Sequence, residues 1–221
     1  IFDIIDSTID HCPIYKINFA FYEKHGSKGY EILEKIPDFI NGRAITIADA
    51  KRGDIGNSSK YYSNAILNLL GYDSMTISPY MGEDSIEPFT QNENKGIFIL
   101  CLTSNSGSND FQHLISNNLP LYKHVAKKAK NMNVNNNIGI VVGATNSEYL
   151  KEINEICPSM PWLMPGIGFQ GGSLENSISI EGQNGLSIIN VSRGIISSGD
   201  GSIKDIRKSS LNYTKFIRKL L

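Results

Sequence analysis

The sequence predicts an α/β fold: a (β/α)8 TIM barrel whose first strand is absent from the chain. Three observations carry this. Strand-like and helix-like segments alternate along all 221 residues. Seven strand-like segments are apolar nearly throughout, the pattern of a parallel sheet covered on both faces. Polar and charged residues gather at the C-terminal ends of those segments, where barrels of this kind keep their active sites. A doubly wound open sheet is the runner-up.

The elements follow in order. Isoleucines at 1, 4, 5 and 9 recur at helical spacing, so "IFDIIDSTID" reads as a helix already under way at Ile1 and a preceding piece is expected. "IYKINFAF" (14–21) is β-branched and aromatic, hence a strand, and 26–40 reads as a helix. "RAITIADA" (43–50) is the next strand. Residues 58–71 form a helix with Ser58 as cap and Gly71 at its end. Strands are expected at 74–80, 96–104, 138–145, 162–168 and 186–194, and helices at 119–132, 147–157 and 205–221. No internal repeat or linker divides the chain, so 1–221 is one barrel domain, incomplete at its N-terminus.

Composition narrows the partners. The net charge is −1, which gives no overall basic field for nucleic acid or an anionic membrane, so a small molecule is favoured. No apolar run reaches the roughly 20 residues that span a bilayer. Cys12, Cys101 and Cys157 are isolated and odd in number, and read as free core thiols of a cytoplasmic protein. The four histidines form no metal-ligand pattern.

The densest chemistry is "DAKRGD" at 49–54. In extended backbone Asp49 and Lys51 point to the same side, and Lys16 at the end of the neighbouring strand completes a Lys–Asp–Lys array. Inside a barrel, charges are tolerated only when paired. A structural ion pair at the rim is the plain alternative, but one pair would suffice for that, and the run adds Asp54 after Gly53. Asn18 ends the same strand as Lys16.

A second motif is "PGIGFQGG" (165–172), beginning at Pro165. It matches G-x-G-x-x-G, but the helix a dinucleotide site needs does not follow it. With Arg193 at the end of the last strand, the loop suits a phosphate dianion instead, through backbone N–H groups and an arginine fork; a plain Gly-rich connection is the alternative. Thr103 and Ser104, in "LTSNSG", could read the polar edge of a heterocycle or merely cap a turn.

Taken together these motifs resemble the orotidine 5′-phosphate decarboxylase family, in the branch whose signature D-A-K-R-G-D-I stands unchanged at 49–55. "YKINFAFYEKHG", "LTSNSG", "VVGAT", "MPGIGFQGG" and "NVSRGI" resemble that family's other strand ends, in its order. The family's first strand, with a "GLDP"-type segment and a substrate-contacting Asp, has no counterpart here.

The resemblance implies conversion of orotidine 5′-monophosphate to uridine 5′-monophosphate, the last step of de novo UMP synthesis, with no metal or organic cofactor. It makes Lys51 the ammonium beside C6 of the pyrimidine, Asp49 its partner near the substrate carboxylate, and Lys16 a bridge to the ribose. Asn18 would contact the ribose, Thr103 and Ser104 the pyrimidine edge, and Gln170 and Arg193 the phosphate, with Pro165 in the same loop. Asp54, Ile55 and Ser58 would reach into a second subunit's site, making an obligate homodimer. Two rivals stand beside this: a Mg²⁺-dependent sugar-phosphate decarboxylase or aldolase with a D-x-K-x-x-D pattern, and a catalytically dead nucleotide-binding remnant.

Overall fold

The computed structural model describes residues 1–143, 147–166 and 187–220. Seven strands form one parallel sheet: β1 (Ile14–Asn18), β2 (Ile45–Arg52), β3 (Ser74–Ile77), β4 (Gly96–Leu102), β7 (Ile138–Val142), β8 (Trp162–Pro165) and β9 (Ser187–Asn190), hydrogen-bonded in that order. A separate antiparallel ribbon pairs β5 (Ile115–Ser116) with β6 (Leu119–Pro120). Spatial order follows chain order without reversal, so the sheet has no switch point and the doubly wound alternative is set aside.

The helices are α1 (Phe2–Thr8), α2 (Ala20–Glu23), α3 (Ser27–Ile40), α4 (Gly56–Ser63), α5 (Glu83–Thr90), α6 (Leu121–Met132), α7 (Ser147–Ile156), α8 (Arg193–Ile196) and α9 (Ile203–Leu220). Several details differ from the sequence expectation, among them the last strand, which ends at Asn190, so that Arg193, expected at its end, opens α8 instead. The first strand stops at Asn18 and turns into α2. α4 begins at Gly56, capped by the extended Ile55 rather than Ser58, and continues as a π-helix over Asn64–Leu69. α5 was not anticipated, since Pro88 interrupts an eight-residue segment.

Side-chain alternation sorts the sheet into two packed sets. Ile17, Ala48, Met75, Ile77, Ile99, Ile140 and Met164 face the helices and join the main core. Ile47, Phe98, Val141 and Leu163 form a second cluster with Ile14, Leu100 and Ile188. By parity this second cluster fills the barrel interior. Each such buried side chain contributes about 1.5–3 kcal/mol. It is also the floor beneath the charged residues, since Lys16 and Asp49 lie two positions beyond Ile14 and Ile47 on the same face.

The helix α3 shows how a local defect is repaired. Pro37 lies inside it and has no N–H to offer the carbonyl of Leu33. The hydroxyl of fully buried Tyr72 donates to that carbonyl at 3.1 Å instead.

β1 and β9 are the two end strands of the sheet. Between them lies a cavity of about 320 Å³ lined by Ile14, Lys16, Ile188, Asn190, Tyr213 and Ile217, among others. α9 is tied across this end to the turn after α1. Arg207 forks onto Asp10 at 3.0 and 2.6 Å, and the Ser210 hydroxyl lies 3.1 Å from His11 Nε2 and 3.0 Å from Cys12 Sγ. Cys101 and Cys157 are buried free thiols, as expected of core fillers, whereas Cys12 is only half-buried and lines this cavity; burial pushes the Cys157 thiol up to about 11.

Candidate active site

β2 leaves register with β3 where its charges stand. Ala48 pairs with Met75 and Arg52 with Ile77, so Asp49, Ala50 and Lys51 together face the single residue Thr76. At the end of this bulge Lys51 has φ +48°. A non-glycine residue in that left-handed region costs about 1–2 kcal/mol, so its surroundings must hold it there.

Two sets of contacts do so. On the barrel side, Thr76 Oγ1 accepts the Lys51 N–H at 2.9 Å and donates to Asp49 Oδ1 at 3.0 Å. On the helix side, Arg52 Nη1 donates to the Ala50 carbonyl at 3.0 Å. The same guanidinium is ion-paired with Glu23 and lies 6.0 Å from the Phe19 ring centroid and 5.6 Å from that of Tyr62. Tyr30 donates to Glu23 at 2.9 Å. Arg52 therefore points away from the site.

Lys51 Nζ donates to Asp49 Oδ1 at 2.5 Å and Lys16 Nζ to Asp49 Oδ2 at 2.7 Å. The side chains of Asp49 and Lys16 are only 9% and 11% exposed, whereas that of Lys51 is 49% exposed. Lys16 is thus the buried counter-ion and Lys51 the cation presented to the barrel mouth. Burial pushes the Asp49 carboxyl up, but the charge of Lys16, its hydrogen bond, and then Lys51 outweigh it and hold the group below its ordinary 3.8. Each Asp49 oxygen thus accepts from an ammonium, and Oδ1 from a hydroxyl as well.

The other expected residues surround this array at the strand ends. Asn18 is in register with Asp49, and its Oδ1 accepts the Ala20 N–H at 3.2 Å. Thr103 and Ser104 follow β4, Pro165 ends β8, and exposed Arg193 opens α8 just past β9. Gln112, which the sequence did not single out, pins Thr103: its Oε1 accepts the Thr103 N–H and its Nε2 donates to Thr103 Oγ1, each at 2.8 Å. Gly143 permits the neighbouring approach, since a Cβ there would lie 2.9 Å from the Ser104 nitrogen. Gln170, Gly168 and Gly171 lie outside the described residues.

Asp54, Ile55 and Ser58 occupy the turn after β2 and the start of α4. Asp54 Oδ1 accepts the Ile55 N–H at 2.8 Å, and the Asp54 carbonyl takes the hydroxyl of Ser59. Among the described residues no hydrogen bond or ion pair joins Asp54 to Asp49, Lys16 or Lys51, so the chain's own fold does not gather all four. Gly53 sits where a Cβ would meet the Ser78 carbonyl at 3.2 Å and the Met81 methyl at 3.5 Å, which brings Met81 beside this turn. Ile55, Tyr61, Leu69, Tyr80 and Met81 are all exposed.

The family model "Orotidine 5′-phosphate decarboxylase / HUMPS family" matches residues 1–204. An orotidine 5′-phosphate decarboxylase of Dehalococcoides mccartyi is 52% identical over 208 residues, covering 90% of this chain and 76% of its own. One from Christiangramia forsetii is 47% identical over 204 residues, covering 90% of this chain and 75% of its own. The structure of Leishmania donovani OMP decarboxylase superposes with a TM-score of 0.90 at 34% identity, over 99% of this chain and 85% of that one. An uninterrupted parallel barrel sheet, a Lys–Asp–Lys array at its strand ends and a match from Ile1 to residue 204 agree: this chain belongs to the orotidine 5′-phosphate decarboxylase / HUMPS family.

Proposed function

We propose that the chain decarboxylates orotidine 5′-monophosphate to uridine 5′-monophosphate, with side chains alone supplying the chemistry. The observation that carries this reading is the Lys16–Asp49–Lys51 array at the mouth of an apolar barrel. Decarboxylation at C6 leaves an electron pair on a carbon with no neighbouring electron sink, so stabilisation must come from fixed charge in a site of low dielectric. The C6–carboxylate bond breaks, CO₂ leaves and the pair stays on C6. Lys51, the half-exposed ammonium, faces that charge and then gives a proton to C6. Asp49 aims Lys51, and buried Lys16 keeps Asp49 ionised.

The remaining roles are those the family resemblance implies. Asn18 takes the ribose, while Thr103, held by Gln112, and Ser104 take the pyrimidine edge. Arg193, with Gln170 and the loop from Pro165, takes the phosphate; binding energy gathered there organises the reacting end. Asp54, Ile55 and Ser58 serve the site of a second copy, and the exposed apolar residues around that turn form the surface that meets it.

The rival within the family is a Mg²⁺-dependent sugar-phosphate enzyme. The surroundings of Asp49 argue against it: each of its oxygens is held by an ammonium, and those two positive charges repel a divalent cation brought to the same carboxylate. Turnover of orotidine 5′-monophosphate in excess EDTA tests the choice. Undiminished turnover, abolished by Lys51→Ala, is expected; a metal requirement would overturn the reading. No turnover by wild type in either condition would favour the remnant.

A further inference from the structure

We infer that Thr76 is a positioning residue for the decarboxylation, acting through both Lys51 and Asp49. The inference rests on the proposed role of Lys51. Its ground is the bulge, in which three residues of β2 face Thr76 alone. Odd-numbered residues of β2 bond toward β1, Ile45 N–H to the Pro13 carbonyl and the Asp49 carbonyl from the Phe19 N–H, but β1 ends at Asn18 and leaves the Lys51 N–H no strand partner on that side. That donor, turned by the bulge toward β3, needs another partner, since a polar group shielded from water and left unpaired costs roughly 1–3 kcal/mol. The Thr76 hydroxyl supplies it at 2.9 Å.

The same hydroxyl oxygen carries one hydrogen, and it points to Asp49 Oδ1, 3.0 Å away. Oδ1 is also the oxygen that receives Lys51 Nζ at 2.5 Å. Thr76 thus closes a ring: Lys51 backbone, Thr76 hydroxyl, Asp49 carboxylate, Lys51 ammonium. Both ends of one catalytic side chain are referred to a single atom on a different strand. Thr76 is 1% exposed, so water does not take its place. Without the hydroxyl, the left-handed Lys51 loses a support and its carboxylate partner loses one of its three donors.

A misplacement of this kind acts on the reacting step more than on nucleotide binding, whose contacts lie elsewhere. Thr76→Val preserves shape and removes both hydrogen bonds; Thr76→Ser keeps them. In the full chain, Thr76→Val should lower kcat by about ten- to a hundredfold with KM for orotidine 5′-monophosphate within about threefold of wild type. Thr76→Ser should stay within about threefold in both constants. If Thr76→Val does not fold, as judged by circular dichroism and melting, the comparison of Thr76→Ala with Thr76→Ser carries the same contrast. Lys51→Ala, measured in parallel, separates the two claims. Normal turnover in Lys51→Ala overturns the reading of the site itself. An inactive Lys51→Ala beside a Thr76→Val of unchanged kcat, or a Thr76→Ser as impaired as Thr76→Val, overturns the role of the Thr76 hydroxyl alone.

Discussion

Lys16 reaches Asp49 diagonally: Lys16 pairs in register with Ile47, and it is Asn18 that lies opposite Asp49, yet the Lys16 ammonium sits 2.7 Å from Asp49 Oδ2. The long stem spans the step while the charge stays buried. Lys51 holds the other oxygen from an exposed position. The two lysines therefore depend on Asp49 unequally.

That inequality has a measurable consequence. Asp49→Ala leaves Lys16 charged, buried and unpaired, which should cost about 3–5 kcal/mol of stability in urea unfolding. Lys51→Ala removes a half-exposed partner and should cost under about 1 kcal/mol while abolishing turnover. Equal stability losses in the two variants would contradict the assignment of Lys16 as the buried counter-ion.

The pH dependence of stability follows from the same carboxylate. The Asp49 carboxyl is held below its ordinary 3.8 in the fold, so the unfolded chain takes up a proton first as pH falls. The stabilisation is complete above about pH 5 and is lost as pH drops below about 4 and through the folded-state value. Stability measured from about pH 2 to 6 should therefore fall more steeply on the acid side in wild type than in Asp49→Asn. Parallel curves would exclude Asp49 as the source.

Arg52 lies between Lys51 and Asp54 in sequence but serves the outer face of the bulge. Its guanidinium meets Glu23, the Ala50 carbonyl and two aromatic rings, contacts that need a planar fork. Arg52→Lys keeps the charge and loses that geometry. It should lower stability by about 1–2 kcal/mol, read as a shift in the urea midpoint with an unchanged m-value.

Much of this was legible in the sequence, for identifiable reasons. Buried parallel strands announce themselves as apolar runs, and the side-chain period of two placed Asp49 and Lys51 on one face. The bulge was not legible, because Ala50-Lys51-Arg52 contains no glycine or asparagine to mark a positive φ. Thr76 was hidden for a related reason: a threonine in "SMTIS" is an ordinary strand residue until the missing ladder partner gives its hydroxyl a task. Gln112 comes from a loop after a 3₁₀ turn, Ser106–Asp110, whose fold back onto Thr103 is not encoded in any period.

The last prediction concerns a second copy. Asp54 makes no hydrogen bond or ion pair with the Lys16–Asp49–Lys51 array among the described residues, although it stands only three residues from Lys51. If Asp54 completes the site of a partner subunit, Lys51→Ala and Asp54→Ala proteins should each be inactive and should complement on mixing. After equal mixing and full exchange, half the dimers are mixed; each of these has one site carrying both lesions and one carrying neither. About a quarter of wild-type activity should therefore return, with a sedimentation mass of two chains. Recovery that fails after exchange is verified would place Asp54 in its own chain's site or outside the chemistry altogether. On the same proposal, a charged substitution at exposed Ile55 should weaken self-association and the recovered activity together, because one turn would supply both the surface and the carboxylate.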